Sequence, residues 1–314
     1  MEVTNKREIR KTKRREKREK LLKNIKANKT IYSMMAPFLI IFFVFTVFPV
    51  FVSFGLSFTS FDMLQFPKFV GLDNYISLFL YDEVFITALR NTFILAIVTG
   101  PLSYLLAFFF AWLINELPRK LRWIMTLIFY APSISGNAYL LWSLIFSGDM
   151  YGYANAILLE LGIINEAIIW LQNVQYILPI LIIVQLWLSL GVSFLAFIGG
   201  LQSTNKELNE AGAIDGVQNR WQELWYITLP QMKPQLLFGA VMQITTSLGI
   251  ATVSIALVGL PSVEYAGHTI VTHLIDFGSN KMELGYASAI ATVLFFIMIG
   301  VNLIVQKILR RVGT

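Results

Sequence analysis

Long apolar stretches separated by short polar segments dominate the pattern of this chain. Six of these stretches contain no Asp, Glu, Lys or Arg, and they cover residues 30–61, 91–115, 123–148, 167–205, 234–263 and 284–306. Each is at least as long as the roughly 20 residues that a helix needs to cross about 30 Å of hydrocarbon. The pattern predicts six spans, near 31–58, 85–115, 121–146, 176–201, 235–260 and 284–308.

The composition agrees with a chain whose solvent is the bilayer. Apolar residues make up 56% of the 314 residues, and charged residues only 14%. Soluble domains carry about 25% charged residues, and one soluble fold of this size does not hold six such helices in its core. The sequence therefore predicts an all-α polytopic membrane protein with six transmembrane helices.

Positive charge is concentrated on one side of the predicted spans. Of the 25 Lys and Arg residues, 13 lie in residues 1–30, a basic tail that we expect to contact anionic lipid head groups rather than nucleic acid. An even number of spans places both termini on one side, which then holds every Lys and Arg except Lys68, Arg90 and Lys281. The positive-inside rule predicts that both termini are cytoplasmic in a multi-pass protein of the cell membrane. The domains are then the tail, 1–30, and a six-helix domain, 31–314.

Few residues in this chain suit redox or metal chemistry. There is no cysteine, and the two histidines, His268 and His273, stand five residues apart beside few other donors. We expect them to be loop histidines and predict no metal site.

Helix-breaking residues fall inside several predicted spans, at Pro49, Gly100-Pro101, Pro132 and Pro179. They predict either simple kinks or helices that bend around a pathway, where a cavity can satisfy the freed backbone groups. No internal repeat is evident, so the signature of inverted-repeat transporters is missing.

The loop between spans four and five has a pattern of its own. Ser203 or Thr204 can cap a helix with Glu207 in its first turn, and small residues at 211–213 let that helix approach another backbone. Gly216 permits a turn that a residue with a Cβ would resist. A second amphipathic segment then runs to Pro230, where span five begins.

This loop resembles the EAA loop of ATP-binding-cassette (ABC) importer permeases, whose pattern is E-A-A, three residues, G, nine residues and I-x-L-P. The chain departs from it in having Gly for the second Ala and ten residues between Gly216 and Ile227. The matching positions that the resemblance implies to be ATPase-coupling residues are Glu210, Ala211, Gly212, Asp215, Gly216 and Pro230. With the segment 70–75, Asn91-Thr92, Trp187 and the segment 200–202, it points to carbohydrate permeases of the maltose type.

The resemblance implies a type I ABC importer permease fold and an assembly. The expected partners are a second homologous permease subunit, two ATPase subunits, an extracytoplasmic solute-binding protein, membrane lipid and a carbohydrate substrate. This chain has no G-x-x-x-x-G-K-[ST] motif, so ATP and Mg²⁺ are expected on the partner ATPase subunits. We predict no cofactor and no catalytic residue on this chain.

Uncharged polar residues in spans four and five suit a sugar pathway. Gln185, Ser189 and Ser193 recur every fourth residue, which places them on one helix face. Family members contact sugar from the middle of these two spans. The candidate pathway residues are Gln185, Ser189, Ser193, Gln243, Thr246, Gly249 and, less strongly, Asn137 in span three. Alternatively, these hydroxyls bond only to backbone or across helices.

Three other functions remain open on the sequence alone. The solute of an ABC permease could be a glycerol phosphoester or a polyol, although the spans offer few Arg or Lys residues for phosphate. An ion-coupled secondary transporter commonly has ionisable residues within its spans, and these spans have none centrally. A non-transporting scaffold or sensor is the third alternative. Dependence of transport on ATP and on a binding protein separates these functions.

Overall fold

The computed structural model describes residues 23–24 and 27–309, so the basic tail predicted at 1–30 lies largely outside the described residues. These described residues divide into two compact units, one ending at Gly55 and one beginning at Leu56. In the first unit, helix α1 begins at Lys29 and continues to Leu56 in the second, with a π-helical turn at Phe43–Val47.

A small hairpin and a chain of helices make up the second unit. The strands β1 and β2 pair antiparallel, with Thr59 opposite Phe69. The elements in order are β1 Thr59–Ser60, β2 Lys68–Phe69, α2 Asp73–Ile76 with a π-helical turn Ser77–Tyr81, α3 Glu83–Asn115, α4 Arg119–Ile134, α5 Leu140–Ile145, α6 Tyr153–Glu160, α7 Val174–Leu188, α8 Val192–Gln202, α9 Lys206–Ile214, α10 Arg220–Glu223 with a π-helical turn Leu224–Thr228, α11 Leu229–Gln231, α12 Lys233–Leu248, α13 Thr252–Val258, α14 Ile270–Ile275 with a π-helical turn Asp276–Asn280, and α15 Leu284–Leu309.

Five segments of the described chain are long and apolar enough to cross a membrane. They are Lys29–Leu56, Glu83–Asn115, Val174–Gln202, Lys233–Val258 and Leu284–Leu309. These match predicted spans one, two, four, five and six to within a few residues. Span three, predicted as one helix over 121–146, is instead two helices, α4 and α5. The chain turns between them at Gly136, whose φ of +67° favours glycine.

Breaks inside the spans occur at glycines rather than at the prolines that the sequence singled out. Pro101 and Pro179 both lie within continuous helices. Span four breaks instead between α7 and α8 at 189–191, and span five between α12 and α13 at 249–251. Unwound backbone at membrane depth is tolerated where protein or a water-filled cavity satisfies its polar groups.

The apolar core of the second unit is divided into clusters along the length of the spans. One cluster joins the second half of span two to α8 and the start of span five, around Phe194, Phe197 and Met232. Two others lie toward the opposite end, around Leu181 and Leu257, and around Phe85 and Ile290. We call the end that carries residues 203–232 the 4–5 loop end, and the end that carries β1 and β2 the hairpin end.

Candidate functional site

The 4–5 loop, residues 203–232, begins with a capped helix. The side chain of Asn205 accepts a hydrogen bond from the Glu207 N–H at 3.0 Å and so caps α9. The sequence assigned this cap to Ser203 or Thr204, and that assignment is wrong. Both hydroxyls donate at 2.8 Å to carbonyls in the last turns of span four. These two residues therefore help to end span four, one step before α9 starts.

A left-handed turn follows α9, as the sequence predicts. Gly216 has a φ of +96°, a conformation that residues with a Cβ rarely adopt. Gly212, by contrast, lies at a close approach. A Cβ at Gly212 would collide with Cδ1 of Ile227 on the second helical segment of the loop. The second alanine of the EAA pattern would therefore fit here only if the end of the Ile227 side chain moved.

The segment between Gly216 and Ile227, which is one residue longer than in the EAA pattern, ends in a π-helical turn. This turn covers Leu224–Thr228 and continues directly from α10. A π-helical turn bonds residue i to i+5 and so holds one more residue than an α-helical turn. Ile227 therefore reaches Gly212 despite the ten-residue spacing.

The loop is fastened to the end of span two. The guanidinium of Arg220 lies 3.3 Å from the carboxylate of Glu116 and 2.6 Å from that of Glu223. The hydrogen bond to Glu223 and the charge of Glu116 both raise the pKa of Arg220. The ring of Trp221 packs on Trp112 with centroids 5.0 Å apart. The second helical segment and span two therefore form one packed unit.

The outer face of the loop is exposed and largely apolar. Ile214 is 87% exposed and Leu208 48%, and with exposed Ala211 they form a stripe along α9. Three aromatic side chains of the second segment are also exposed, Trp221, Trp225 and Tyr226. Except for Gly212, which is buried, the predicted coupling residues are all exposed: Glu210, Ala211, Asp215, Gly216 and Pro230.

The candidate pathway residues of spans four and five meet at the two helix breaks. The Gln243 amide donates to the carbonyl of Ser189 at 3.1 Å and to the hydroxyl of Ser193 at 2.8 Å. The hydroxyl of Thr246 donates to the Gln243 side-chain oxygen at 3.1 Å. Gln243, Ser189 and Ser193 are all buried. They satisfy the backbone that the break in span four frees.

The other pathway candidates are more open. Thr246 and Gly249 are exposed beside the break in span five, and Gln185 is half-buried one turn before the break in span four. Asn137 is exposed in the turn between α4 and α5 and accepts a hydrogen bond from Tyr139 at 3.0 Å. Whether a solute contacts these side chains stays a prediction.

A run of aromatic rings extends from span four toward the hairpin end. Trp187 packs edge-on against Trp142, with centroids 5.7 Å apart, and Trp142 stacks on Phe146 at 5.8 Å. The run continues to Trp170 and Tyr176. The sequence pointed to Trp187 alone, because nothing in the chain order shows that Trp142 and Trp170 lie beside it.

A buried polar network at the hairpin end is not foreseen by the sequence. His273 lies 3.0 Å from Asp82 and 3.2 Å from His268, and the hydroxyl of Tyr286 donates to Asp82 at 2.8 Å. Asp82 also caps span two by accepting from the Phe85 N–H at 2.8 Å. His268 lies in a loop, as the sequence predicts, whereas His273 lies in α14, so the expectation of two loop histidines is wrong for His273; both are almost fully buried.

Asp82 carries a fixed negative charge in this network. Burial by itself raises the pKa of Asp82, but hydrogen bonds from His273, the Phe85 N–H and Tyr286 outweigh it and bring this pKa to about 2. Burial lowers the pKa of His268 to about 4, with the neighbouring His273 adding to the effect. Asp82 is therefore ionised and His268 neutral near pH 7. One carboxylate ties spans two and six to α14.

Comparison with known proteins assigns the chain to a family. A scan against protein-family models finds no match. Over 256 residues the chain is 35% identical to the probable ABC transporter permease protein YesP of Bacillus subtilis, covering 80% of this chain and 81% of that relative. The chain belongs to the ABC sugar permease family. The permease is also 33% identical over 247 residues to the arabinooligosaccharide transport system permease AraP of Bacillus subtilis, covering 77% of this chain and 76% of AraP.

The fold of the permease agrees with this assignment. The structure of a bacterial ABC transporter that imports alginate superposes with a TM-score of 0.72 at 25% identity, covering 94% of this chain and all of that one. A relative with 26% identity, over 78% of this chain and 81% of its own, is the sn-glycerol-3-phosphate transport permease UgpA of Yersinia pestis. The permease is a multi-pass transmembrane subunit of an ABC importer.

Proposed function

We propose that the 4–5 loop of this permease is the docking element for an ATPase subunit that binds ATP and Mg²⁺. The observation that supports the proposal is the exposed apolar stripe of Leu208, Ala211 and Ile214 on α9. The opposite side of this helix packs on the second helical segment of the loop. Large exposed apolar patches on a polar segment mark interaction sites. The packing of Gly212 on Ile227 and of Trp221 on Trp112 passes movement of α9 to spans two and five.

The proposal implies an orientation of the permease in the membrane and the other members of the assembly. The 4–5 loop end is cytoplasmic, as the positive-inside rule predicts, and so are both termini. A second permease subunit completes the pathway, two ATPase subunits bind on the cytoplasmic side, and a solute-binding protein delivers the substrate at the hairpin end. ATP hydrolysis belongs to the ATPase subunits.

Association with the ATPase tests the docking role. Ile214→Asp places a charge at the most exposed apolar side chain of the stripe, and we expect loss of ATPase subunits from the purified complex and of substrate-stimulated hydrolysis. Ile163→Asp is the matched control, since Ile163 is 65% exposed at the other end of the spans. If both variants retain the ATPase subunits equally, the loop is not the docking element.

We infer that the solute is an uncharged sugar or oligosaccharide. Thr246, Gly249 and Gln185 supply uncharged polar surface near the helix breaks, and the aromatic rings of Trp187 and Trp142 offer apolar faces for sugar rings. Residues 167–205 and 234–263, which include both breaks, carry no charged side chain. Recognition of phosphate favours Arg and Lys, so this absence argues against the glycerol phosphate that the name of UgpA suggests.

Stimulation of ATPase activity identifies the solute class. The complex with its binding protein is assayed with neutral oligosaccharides and with sn-glycerol-3-phosphate. We expect stimulation by a neutral oligosaccharide, and Thr246→Val should weaken it more than Thr245→Val, the control at the neighbouring exposed position. Stimulation by the phosphoester alone would refute the assignment.

A further inference from the structure

The segment between spans one and two carries several exposed apolar side chains. In the hairpin, Phe66 is 94% exposed, Leu64 89%, Phe69 81% and Met63 62%. A chain segment that only connects two spans through water has no need of these side chains. Exposed patches of this kind mark a binding surface.

The helical segment that follows the hairpin has the same property on one face. Leu72, Ile76, Phe79 and Leu80 are between 44% and 73% exposed and recur at i, i+4, i+7 and i+8. These four side chains form an exposed apolar stripe along the short helix and its π-helical turn, bordered by the exposed carboxylate of Asp73. The stripe is not the face toward the protein, because Leu78 is fully buried on the other side.

The inner face of this segment is fixed by hydrogen bonds. The Asn74 side chain donates to the carbonyls of Ser57 and Thr59, both at 2.9 Å, and the hydroxyl of Tyr75 donates to Ser57 at 2.7 Å. Leu78 packs in the cluster that contains Phe85 at the start of span two. The apolar stripe therefore has no freedom to turn inward.

The level of the hairpin along the membrane normal is also fixed. The N–H of Gly285, in the first turn of span six, donates to the carbonyl of Phe61 at 3.0 Å. A Cβ at Gly285 would collide with the carbonyl of Thr59. Span six begins at Leu284 and span two at Glu83, so the hairpin and the helical segment lie where two membrane spans start.

Nothing in the described part of the chain covers this surface. A gap of about 1340 Å³ separates the hairpin tip from the segment 277–286. Within the hairpin, Asp62 accepts from the N–H groups of Leu64 and Gln65, and Lys68 donates to the Gln65 side chain. The other charged side chains around the gap are Asp82, Glu83, Lys281 and Glu283, which lie at the starts of spans two and six. Tyr81 at the end of the stripe is 78% exposed, and tyrosine and lysine side chains commonly lie at the membrane–water interface.

We propose that residues 63–81 form a lipid-interface foot, inserted among the head groups and upper acyl chains of the leaflet at the hairpin end. The argument for lipid is continuity, since the apolar stripe adjoins the ends of spans that are themselves in the bilayer. The foot anchors the start of span two and, through Gly285, the start of span six. Its occupant is the bilayer, and the claim does not depend on the solute or on ATPase docking.

Spin labels test this proposal directly, because the chain contains no cysteine. Phe66→Cys and Leu80→Cys are labelled with a nitroxide in the complete transporter, assembled with cysteine-free partner subunits in phospholipid nanodiscs. Collision with oxygen, which concentrates in lipid, is compared with collision with a water-soluble nickel chelate. Tyr151→Cys is the aqueous control, at a side chain that is 92% exposed in the loop between spans three and four.

We expect both foot labels to collide more with oxygen and less with the nickel chelate than the label at position 151. The values should not change when the binding protein is added. Nickel collisions equal to those at position 151 would place either site in water and overturn the proposal. Low collision with both reagents would show burial against another subunit, and shielding only after binding-protein addition would show a protein-docking surface. Both of these outcomes also overturn it.

Discussion

The contact between Gly212 and Ile227 makes a quantitative prediction about the 4–5 loop. Gly212→Ala would restore the second alanine of the EAA pattern, yet we expect it to loosen the loop. Of the atoms near the added Cβ, Cγ1 of Ile227 and Cγ2 of Val217 lie at 3.5 Å, which is ordinary contact. Only Cδ1 of Ile227 collides, so a single methyl group carries the whole conflict.

The expected magnitude follows from two opposing effects. Overpacking of this kind costs about 1–3 kcal/mol, and replacing glycine by alanine in a helix returns about 1 kcal/mol. Gly212→Ala should therefore destabilise α9 locally by about 1 kcal/mol. Ile227→Val, which removes Cδ1, should cost about 1 kcal/mol by itself. The double variant should be close to wild type, because the added Cβ then occupies the space of the lost methyl group.

Hydrogen exchange of the backbone amides in residues 206–216 of the assembled complex measures this cycle. Each single variant should exchange about fivefold faster than wild type, since 1.4 kcal/mol corresponds to a factor of 10. The coupling between the two changes should be on the order of 2 kcal/mol. If the effects of the two changes simply add, the contact with Ile227 does not determine the residue at position 212, and packing is not the reason for the glycine.

Four further predictions concern the hairpin end and the link to span two. Asn91→Ala removes a side-chain amide whose two N–H groups are shared among three carbonyls of the loop 265–268, at 3.0–3.1 Å; the change should cost about 2–3 kcal/mol, seen as faster amide exchange in residues 262–270. Glu116→Gln breaks an exposed ion pair with Arg220, so the thermal midpoint should fall by an amount equivalent to less than about 1 kcal/mol, and the difference from wild type should shrink at high salt. The pKa of His268 is lowered to about 4, so the unfolded chain takes up a proton at this position more readily than the folded protein does. The free energy of unfolding is therefore highest above pH 6.5 and falls as the pH falls toward 4; on the order of 2 kcal/mol should be lost by pH 5. His268→Gln should flatten the dependence of the thermal midpoint on pH. Gly285→Ala should separate the hairpin from span six and speed hydrogen exchange of the amide at position 285. Gly300→Ala, at a position with open space around it, should leave the exchange at position 285 unchanged.

The sequence predicts the spans well because hydropathy measures length and composition directly. Spans one, two, four, five and six lie within a few residues of their predicted positions. It does not predict the division of span three, since the charge-free stretch 123–148 continues through the turn at Gly136. Prolines such as Pro101 and Pro179 are poor guides to breaks, because a long helix packed by its neighbours accommodates them.

In the candidate site, local features are predicted and distant contacts are not. Glycine at position 216 predicts the left-handed turn, because the requirement is a property of one residue. The cap of α9 is missed because Ser203, Thr204 and Asn205 are all capable of capping, and the choice depends on where span four ends. The contact of His273 with Asp82 joins residues 191 positions apart, and no local pattern encodes it.

The division of the apolar core has a consequence for how the permease subunit deforms. The clusters around Phe197 and around Leu181 lie on opposite sides of the breaks at 189–191 and 249–251. Span two runs unbroken between the two clusters, and there the Oγ of Ser247 lies 3.3 Å from the position of a Cβ at Gly100. Span six, Leu284–Leu309, is also one unbroken helix. The second unit therefore has two packed clusters that are linked by continuous helices and by two broken ones. If the 4–5 loop moves as we propose, the Gln243 bonds to Ser189 and Ser193, which lie at the break in span four, are the contacts that this movement strains.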